Sequence, residues 1–463
     1  MGVVSHRRAF ALLAGVLAVL LGVAVGIGTG REARREPTPP PPSPAHEASE
    51  GDEGNEAGDT DAPGEASQAD DTPARPVWVG TWSAAPSGPE PGTRDGLPGH
   101  SLRNVVRTSI GGERTRVELS NRYGTAPVTF TDATVALSAR GGPDARPETL
   151  RALTFDGRGS VTVPPGGSVV SDPAALAVPP AADLLVSFHT PDPSGPVTHH
   201  RLAQQTSWAA AGNHAASASG AAFTEPFASW RYVTGVHVLT DVAEGAVVVL
   251  GDSLTDGALS TPGANRRWTD ALATRLRDEP GAPALGVLNL GISGNRLLRD
   301  ALPDRSFNGA AGLRRLPDDA LAAPGAGTLV IQLGINDILF EPRDDPDAVI
   351  AGLRTAAERG HAAGLRVVGA TLGPFGGHAE DDPGRERVRQ RVNAAIRDGG
   401  MFDAVIDFDR ALRDPAAPAR LLPRYDSGDG LHPNDAGYAA MADAVDPRAL
   451  LPTPRDGLGP SNG

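Results

Sequence analysis

The sequence contains no cysteine and no lysine, and only 4% of its 463 residues are aromatic. Without a thiol, disulfide scaffolds, cysteine nucleophiles, iron–sulfur clusters and cysteine-ligated zinc are excluded together. All 42 basic residues are arginine, and acidic residues outnumber them to leave a net charge of −14. A protein that grips a duplex needs a basic face to neutralise phosphates, so no nucleic-acid partner is expected. Small and aliphatic residues are plentiful instead: 57 Gly, 43 Pro and a hydrophobic share of 40%, ample for sizeable cores. A chain of this length suggests two domains plus extra segments.

The negative charge is concentrated. Residues 36–76 hold eleven Asp or Glu against one Arg and open with the proline run Pro37 to Pro44. Almost no large apolar side chain occurs there, so burial could not offset the entropy of ordering, and the stretch reads as a disordered Pro/acidic tether. Upstream, Arg7 and Arg8 precede an uncharged, largely apolar run from Ala9 to Gly28. That run is long enough to span a bilayer, so residues 1–35 are expected to be a membrane anchor or a signal peptide. Either reading makes the remainder extracytoplasmic: secreted, or held at the membrane only through residues 9–28. Arg7-Arg8-Ala9-Phe10 resembles a twin-arginine export signal, with Ala11 departing from it. No cysteine follows the apolar run, which excludes a lipoprotein anchor.

Residues 77–240 read as an all-β, sandwich-like domain. Leu102 to Ile110, Thr115 to Ser120, Pro127 to Ser138, Ala182 to Thr190 and Arg231 to Thr240 are short runs rich in Val, Thr and Leu, separated by Gly and Pro. In Arg114-Thr115-Arg116-Val117-Glu118-Leu119, charged and apolar residues alternate as on a strand with one buried face. From 243 to 453 the pattern changes to apolar runs alternating with helical segments, the sequence form of a parallel sheet wrapped by helices. Candidate strands are Ala246 to Leu250, Gly286 to Leu290, Thr328 to Leu333, Arg366 to Thr371 and Ala404 to Asp407. Trp268, Leu272 and Leu276, and likewise Val388, Val392 and Ile396, recur at helical spacing and predict stripes pressed on that sheet. Residues 454–463 read as a disordered tail.

In such sheets reactive residues collect in the loops after the strands' carboxyl ends. After the first candidate strand stands Gly251-Asp252-Ser253-Leu254-Thr255-Asp256-Gly257, which places a serine hydroxyl on an exposed turn with its own amide able to face an oxyanion. After the second come Gly291-Ile292-Ser293-Gly294-Asn295, where a glycine amide can approach a ligand closely, and after the third Gly334-Ile335-Asn336-Asp337, with a side-chain amide able to donate. Near the C-terminus, Asp429-Gly430-Leu431-His432-Pro433 spaces a carboxylate so that it can hold the imidazole Nδ1–H and leave Nε2 to take the serine proton. Taken singly, these features have plainer readings: a polar turn at Ser253, a C-cap at Gly294, an Asx-turn at Asn336 and a helix cap at Asp429.

Together and in this order, the four blocks resemble the SGNH, or GDSL-type, family of serine esterases and acylhydrolases over residues 243–453. The resemblance implies a three-layer α/β/α, flavodoxin-like fold and ester hydrolysis with no metal and no cofactor. It implies Ser253, Asp429 and His432 as the catalytic triad, with Ser253, Gly294 and Asn336 forming the oxyanion hole. The β-rich part, with Thr81-Trp82, Leu119-Ser120-Asn121 and Thr198-His199, also looks like the amino-terminal part of actinobacterial two-domain members. The expected substrate is an ester: acetylated polysaccharide, acyl lipid or a small soluble ester. The alternative is a non-catalytic cell-surface or carbohydrate-binding protein on a hydrolase scaffold.

Other residues invite weaker readings. Asp252 to Gly257 looks faintly like a calcium loop, but Leu254 stands where an oxygen ligand is required. His199 and His200, adjacent on a strand, would face opposite ways and so serve packing rather than a shared metal. His361 near a helix end is explained by the helix dipole. Trp82, Trp208 and Trp230 could form a sugar-stacking face, but large aromatics in a sandwich belong more often to its core.

Overall fold

The computed structural model describes residues 75–340 and 345–452. The expected anchor or signal segment, nearly all of the acidic tether and the C-terminal tail lie outside the described residues. Among the described residues, no helix is long and apolar enough to cross a membrane.

The apolar runs of the C-terminal half form a parallel sheet. Its strands, in chain order, are Gly245–Gly251, Leu285–Gly291, Ala326–Gln332, Arg366–Ala370 and Ala404–Ile406. In space they lie in the order second, first, third, fourth, fifth. Along the fully buried first strand, successive side chains leave opposite faces. Val247 and Val249 join a cluster with Trp268, Leu272 and Leu276 of the helix Trp268–Asp278 and with Tyr438 and Met441 of the helix Asp435–Asp443. Ala246, Val248 and Leu250 join a second cluster with Leu353 and Ala356 of the helix Pro346–Ala362 and with Val392 and Ile396 of the helix Pro383–Arg397. Both helical stripes anticipated at Trp268 and Val388 therefore face the sheet, one on each side of it.

Residues 77–240 are built mainly of antiparallel strands. One sheet runs Val77–Ser83, Val233–Thr240, Arg114–Ser120, Ser168–Val170; a second centres on His100–Arg107, Asp183–Thr190 and Val128–Leu137. Alternation in Arg114–Ser120 buries Thr115, Val117 and Leu119 while Arg114, Arg116 and Glu118 are at least partly exposed. Val117, Val236 and Val238 of the first sheet share one core with Leu102, Phe130, Val186 and Phe188 of the second. Trp82 and Trp230 are buried and meet edge to face at 4.9 Å. A short third sheet, Trp230–Arg231, Thr198–His200 and Gly88–Pro89, lies outside these two.

The described residues belong to one compact unit, and the change of architecture near residue 243 does not separate them. The strand Val77–Ser83, not singled out by the sequence pattern, makes the connection. Its Val79 joins the core cluster of Val248 and Leu288, and Gly80 N–H donates to Pro324 O at 2.9 Å. Leu285–Gly291 is an edge strand of the parallel sheet. Covering such an edge removes a site for unwanted pairing, and the β-rich region supplies that cover.

Candidate active site

The first parallel strand ends at Gly251 and the chain turns at once into the short helix Ser253–Asp256. Asp252 caps it, accepting the Leu254 N–H at 3.0 Å, and Gly257, at φ +85°, closes it. Ser253 stands first in that turn, where an N–H has no intrahelical acceptor. The turn sits against the end of the second strand so closely that a Cβ on Gly291 would lie 2.3 Å from the Asp256 nitrogen. Burial pushes the Asp252 carboxyl up to about 7.

Ser253 Oγ meets His432 Nε2 at 2.9 Å, and His432 Nδ1–H donates to Asp429 Oδ2 at 2.6 Å. With Nδ1 as donor, Nε2 is the acceptor for the serine proton. Asp429 Oδ1 also accepts the backbone N–H groups of Leu431 and His432, at 2.9 and 2.8 Å. Partial burial opposes ionisation of Asp429, but the His432 ring and these amides outweigh it and hold the carboxyl far below its ordinary range. The helix after this loop starts at Asp435, and its cap is Asn434, which accepts from Ala436 and Gly437. Asp429 is thus not the helix cap, and its carboxylate serves the imidazole.

Gly294 has φ +77°, and a Cβ there would meet Asn308 Nδ2 at 2.4 Å, so the turn that presents its amide requires glycine. Asn336, on the helix Ile335–Phe340 just after the third strand, donates from Nδ2 to Asn295 O at 3.0 Å. A side-chain amide has two N–H groups, so one is left to donate elsewhere. The expected site residues Ser253 and Asn336 thus stand in the first turns of short helices, and Gly294, Asp429 and His432 on loops.

Sequence reasoning assigned no role to Asp337 or Arg315. Asp337 accepts from Leu297 N and Leu298 N at 2.7 and 2.9 Å, tying the Gly294 loop to the Asn336 helix, and burial raises its carboxyl to about 6. Its place beside Asn336 was the available signal. Buried Arg315 donates to Gly251 O and Leu290 O, both at 2.9 Å, and to Asn295 Oδ1 at 3.0 Å. No sequence feature marks its bonds to Gly251 and Leu290, because these backbone carbonyls are brought to it only by the fold.

The β-rich region reaches the same turn. His200 Nε2 lies 2.9 Å from Asp256 Oδ1, and Gln204 Nε2 donates to Gly257 O at 2.9 Å. Arg267, beyond the turn, donates back to Ala203 O. His199, the neighbour of His200, hydrogen-bonds through Nδ1 to Gly88 O at 2.9 Å, and burial lowers its pKa. His361 adds a contact to Asp403 Oδ2 at 3.0 Å beyond the expected helix-dipole interaction.

Residues 249–440 match the model of the GDSL-like Lipase/Acylhydrolase family. No curated protein matches the chain. Among solved structures, it is similar to a GDSL-like lipase from Bacteroides thetaiotaomicron at 20% identity, covering 43% of this chain and 85% of that one, with a TM-score of 0.32. A carbohydrate acetylesterase family member from Sinorhizobium meliloti shows 19% identity over 45% of this chain and 99% of its own, at 0.36. A family two carbohydrate esterase from Clostridium thermocellum, in complex with cellohexaose, is 12% identical over 81% and 93%, at 0.35.

Proposed function

We propose that this chain, whose residues 249–440 match the GDSL-like lipase/acylhydrolase family, is a serine ester hydrolase that cleaves carboxylic esters through an acyl-serine intermediate, outside the cytoplasm. The observation that carries this reading is the continuous relay Ser253 Oγ, His432, Asp429 at 2.9 and 2.6 Å. His432 Nε2 takes the Ser253 proton as Oγ attacks the ester carbonyl, then returns it to the departing alcohol. Asp429 holds the tautomer and balances the imidazolium that forms. The Ser253 amide, the Gly294 amide and the second Asn336 N–H receive the oxyanion, each essential donor worth about 3–4 kcal/mol in comparable sites. Water then attacks the acyl-enzyme, with His432 as base again.

The strand order second, first, third, fourth, fifth is that of flavodoxin-like doubly wound sheets, whose ligands sit at the carboxyl ends of the strands. We read the two antiparallel sheets that share a core as a β-sandwich. Placement outside the cytoplasm rests on Arg7, Arg8 and the apolar run from Ala9 to Gly28. Sequencing the amino terminus of the mature protein from fractionated cells tests it, since an intact segment in the cytosolic fraction would refute export.

The test of the chemistry is Ser253→Ala against a panel of nitrophenyl esters of increasing chain length, run beside an acetylated xylan. Wild-type protein should turn over at least one ester, and the variant should lose roughly 10⁴-fold or more of kcat while staying folded. A fluorophosphonate probe should label Ser253. Ordinary turnover by the variant would refute the assignment.

A further inference from the structure

Asp256 is the last residue of the short helix that begins at Ser253, and its carboxylate is buried. Its two oxygens have different partners. Oδ2 accepts from the backbone N–H and the hydroxyl of Ser293, at 2.8 and 2.7 Å. Oδ1 meets His200 Nε2 at 2.9 Å. His200 is itself buried on the strand Thr198–His200 and hydrogen-bonds through Nδ1 to Ala85 O at 2.8 Å. The Ala85 carbonyl can only accept, so Nδ1 donates to it and Nε2 faces the Asp256 carboxyl. Trp230 packs beside it, ring centroids 5.4 Å apart.

This chain of contacts runs from the β-rich region to the residue next to Gly294. Fixing the Ser293 N–H and hydroxyl fixes that residue's orientation, and Ser293 supplies the carbonyl half of the peptide whose N–H belongs to Gly294. A Gly294 amide displaced by a few tenths of an ångström would no longer match a developing oxyanion. From this juxtaposition we propose that His200 is a positioning residue for the oxyanion side of the site, acting through Asp256 on the Ser293–Gly294 peptide. The inference rests on the ester-hydrolase reading of Ser253. It gives the β-rich region a part in the reaction: one of its side chains sets the geometry of a catalytic amide without touching substrate. Asp256, a buried carboxylate, would otherwise lack a partner at Oδ1 strong enough to fix its plane.

Two substitutions separate this link from mere packing. His200→Asn keeps a donor for Ala85 O but ends short of Asp256, whereas His200→Gln extends an N–H to the position of Nε2. An interaction used only in the transition state is lost from kcat and spares KM. His200→Asn should therefore lower kcat by roughly 10- to 100-fold with KM changed less than about threefold, and His200→Gln should stay within about fivefold of wild type. Amide hydrogen exchange read by mass spectrometry reports the link without any substrate. Exchange over residues 289–297 should quicken in His200→Asn and return toward wild type in His200→Gln, while the strand Gly245–Gly251 stays protected. A folded His200→Asn protein with kcat within about threefold of wild type, or a loss confined to KM, would overturn the proposal. So would unchanged exchange over residues 289–297. If wild-type protein hydrolysed no ester, or Ser253→Ala remained active, the hydrolase reading would fail instead, and the exchange comparison would still decide the His200 link.

Discussion

Burial shifts carboxylic acids near the Ser253 turn and imidazoles in the β-rich region in opposite directions. Near that turn it pushes Asp252 up to about 7 and Asp337 up to about 6. In the β-rich region it pushes His237 down to about 4 and lowers His199 as well. In each case the low-polarity interior disfavours the charged form, whichever sign it carries. His200 stands apart because its second nitrogen faces a carboxylate from the other region. The lesson is that where the two regions meet they supply each other's hydrogen-bond partners, which is also where the Ser293–Gly294 loop is held.

The largest effect that would sharpen this contrast lies wholly within the α/β region. Asp429→Asn should lower kcat by up to about 10⁴-fold, as in other triads where the orienting carboxylate is neutralised. Steady-state kinetics that showed less than a tenfold loss would mean another group orients His432.

The next effect asks whether the contrast divides two folding units or one. Leu288 packs against Val79 and Gly80 of the β-rich region. Leu288→Ala should cost about 2–5 kcal/mol, the usual range for a core leucine. Thermal unfolding followed by circular dichroism and by tryptophan emission should then show one transition that shifts as a whole, since Trp82 and Trp230 lie in one region and Trp268 in the other. Two separated transitions, only one of them shifted, would break the single unit.

Opposed burial also predicts opposed pH dependences of stability. Asp252 and Asp337 have folded pKa values above the ordinary carboxylate range, so between about pH 4 and 7 the folded state binds more protons than the unfolded one. Their contribution is therefore greatest at low pH and is lost as pH rises through about 6 to 7. His237 acts in the other direction: its folded value of about 4 lies below the ordinary 6.5, so its contribution is lost as pH falls from 6.5 toward 4. Each group can contribute on the order of a few kcal/mol. Denaturant midpoints measured from pH 4 to 8 should fall less steeply toward pH 8 in Asp252→Asn and less steeply toward pH 4 in His237→Gln. Parallel profiles for wild type and both variants would contradict these assignments.

The smallest effect concerns Gln204, whose side chain donates to Gly257 O and Ser260 O beyond the Ser253 turn. Gln204→Ala removes neutral hydrogen bonds at a partly buried site, worth about 1 kcal/mol, and should lower kcat less than tenfold. A loss as large as that of Asp429→Asn would show that the β-rich region controls the turn more tightly than its contacts imply.

Much of the α/β region was legible because its signals are local. Runs such as Ala246-Val247-Val248-Val249-Leu250 can bury both faces only in a helix-covered sheet, and the five observed strands fall within two residues of the apolar runs. Ser253, Gly294, Asn336, Asp429 and His432 were legible for a related reason. Each sits in a short, recognisable block, such as a carboxylate three positions before an imidazole or a glycine where φ must be positive. What the sequence could not carry was contact between segments far apart along the chain. His200 and Asp256 are separated by 56 residues, Arg315 reaches carbonyls 25 and 64 residues away, and Val79 meets a strand more than 200 positions later. Nothing in a histidine dipeptide or an arginine pair specifies such partners, because a backbone carbonyl looks the same at every position. The sequence by itself determined which segments carry the candidate site residues. The tertiary structure decided which distant side chains hold those loops still, because hydrogen-bond partners are selected by proximity in space.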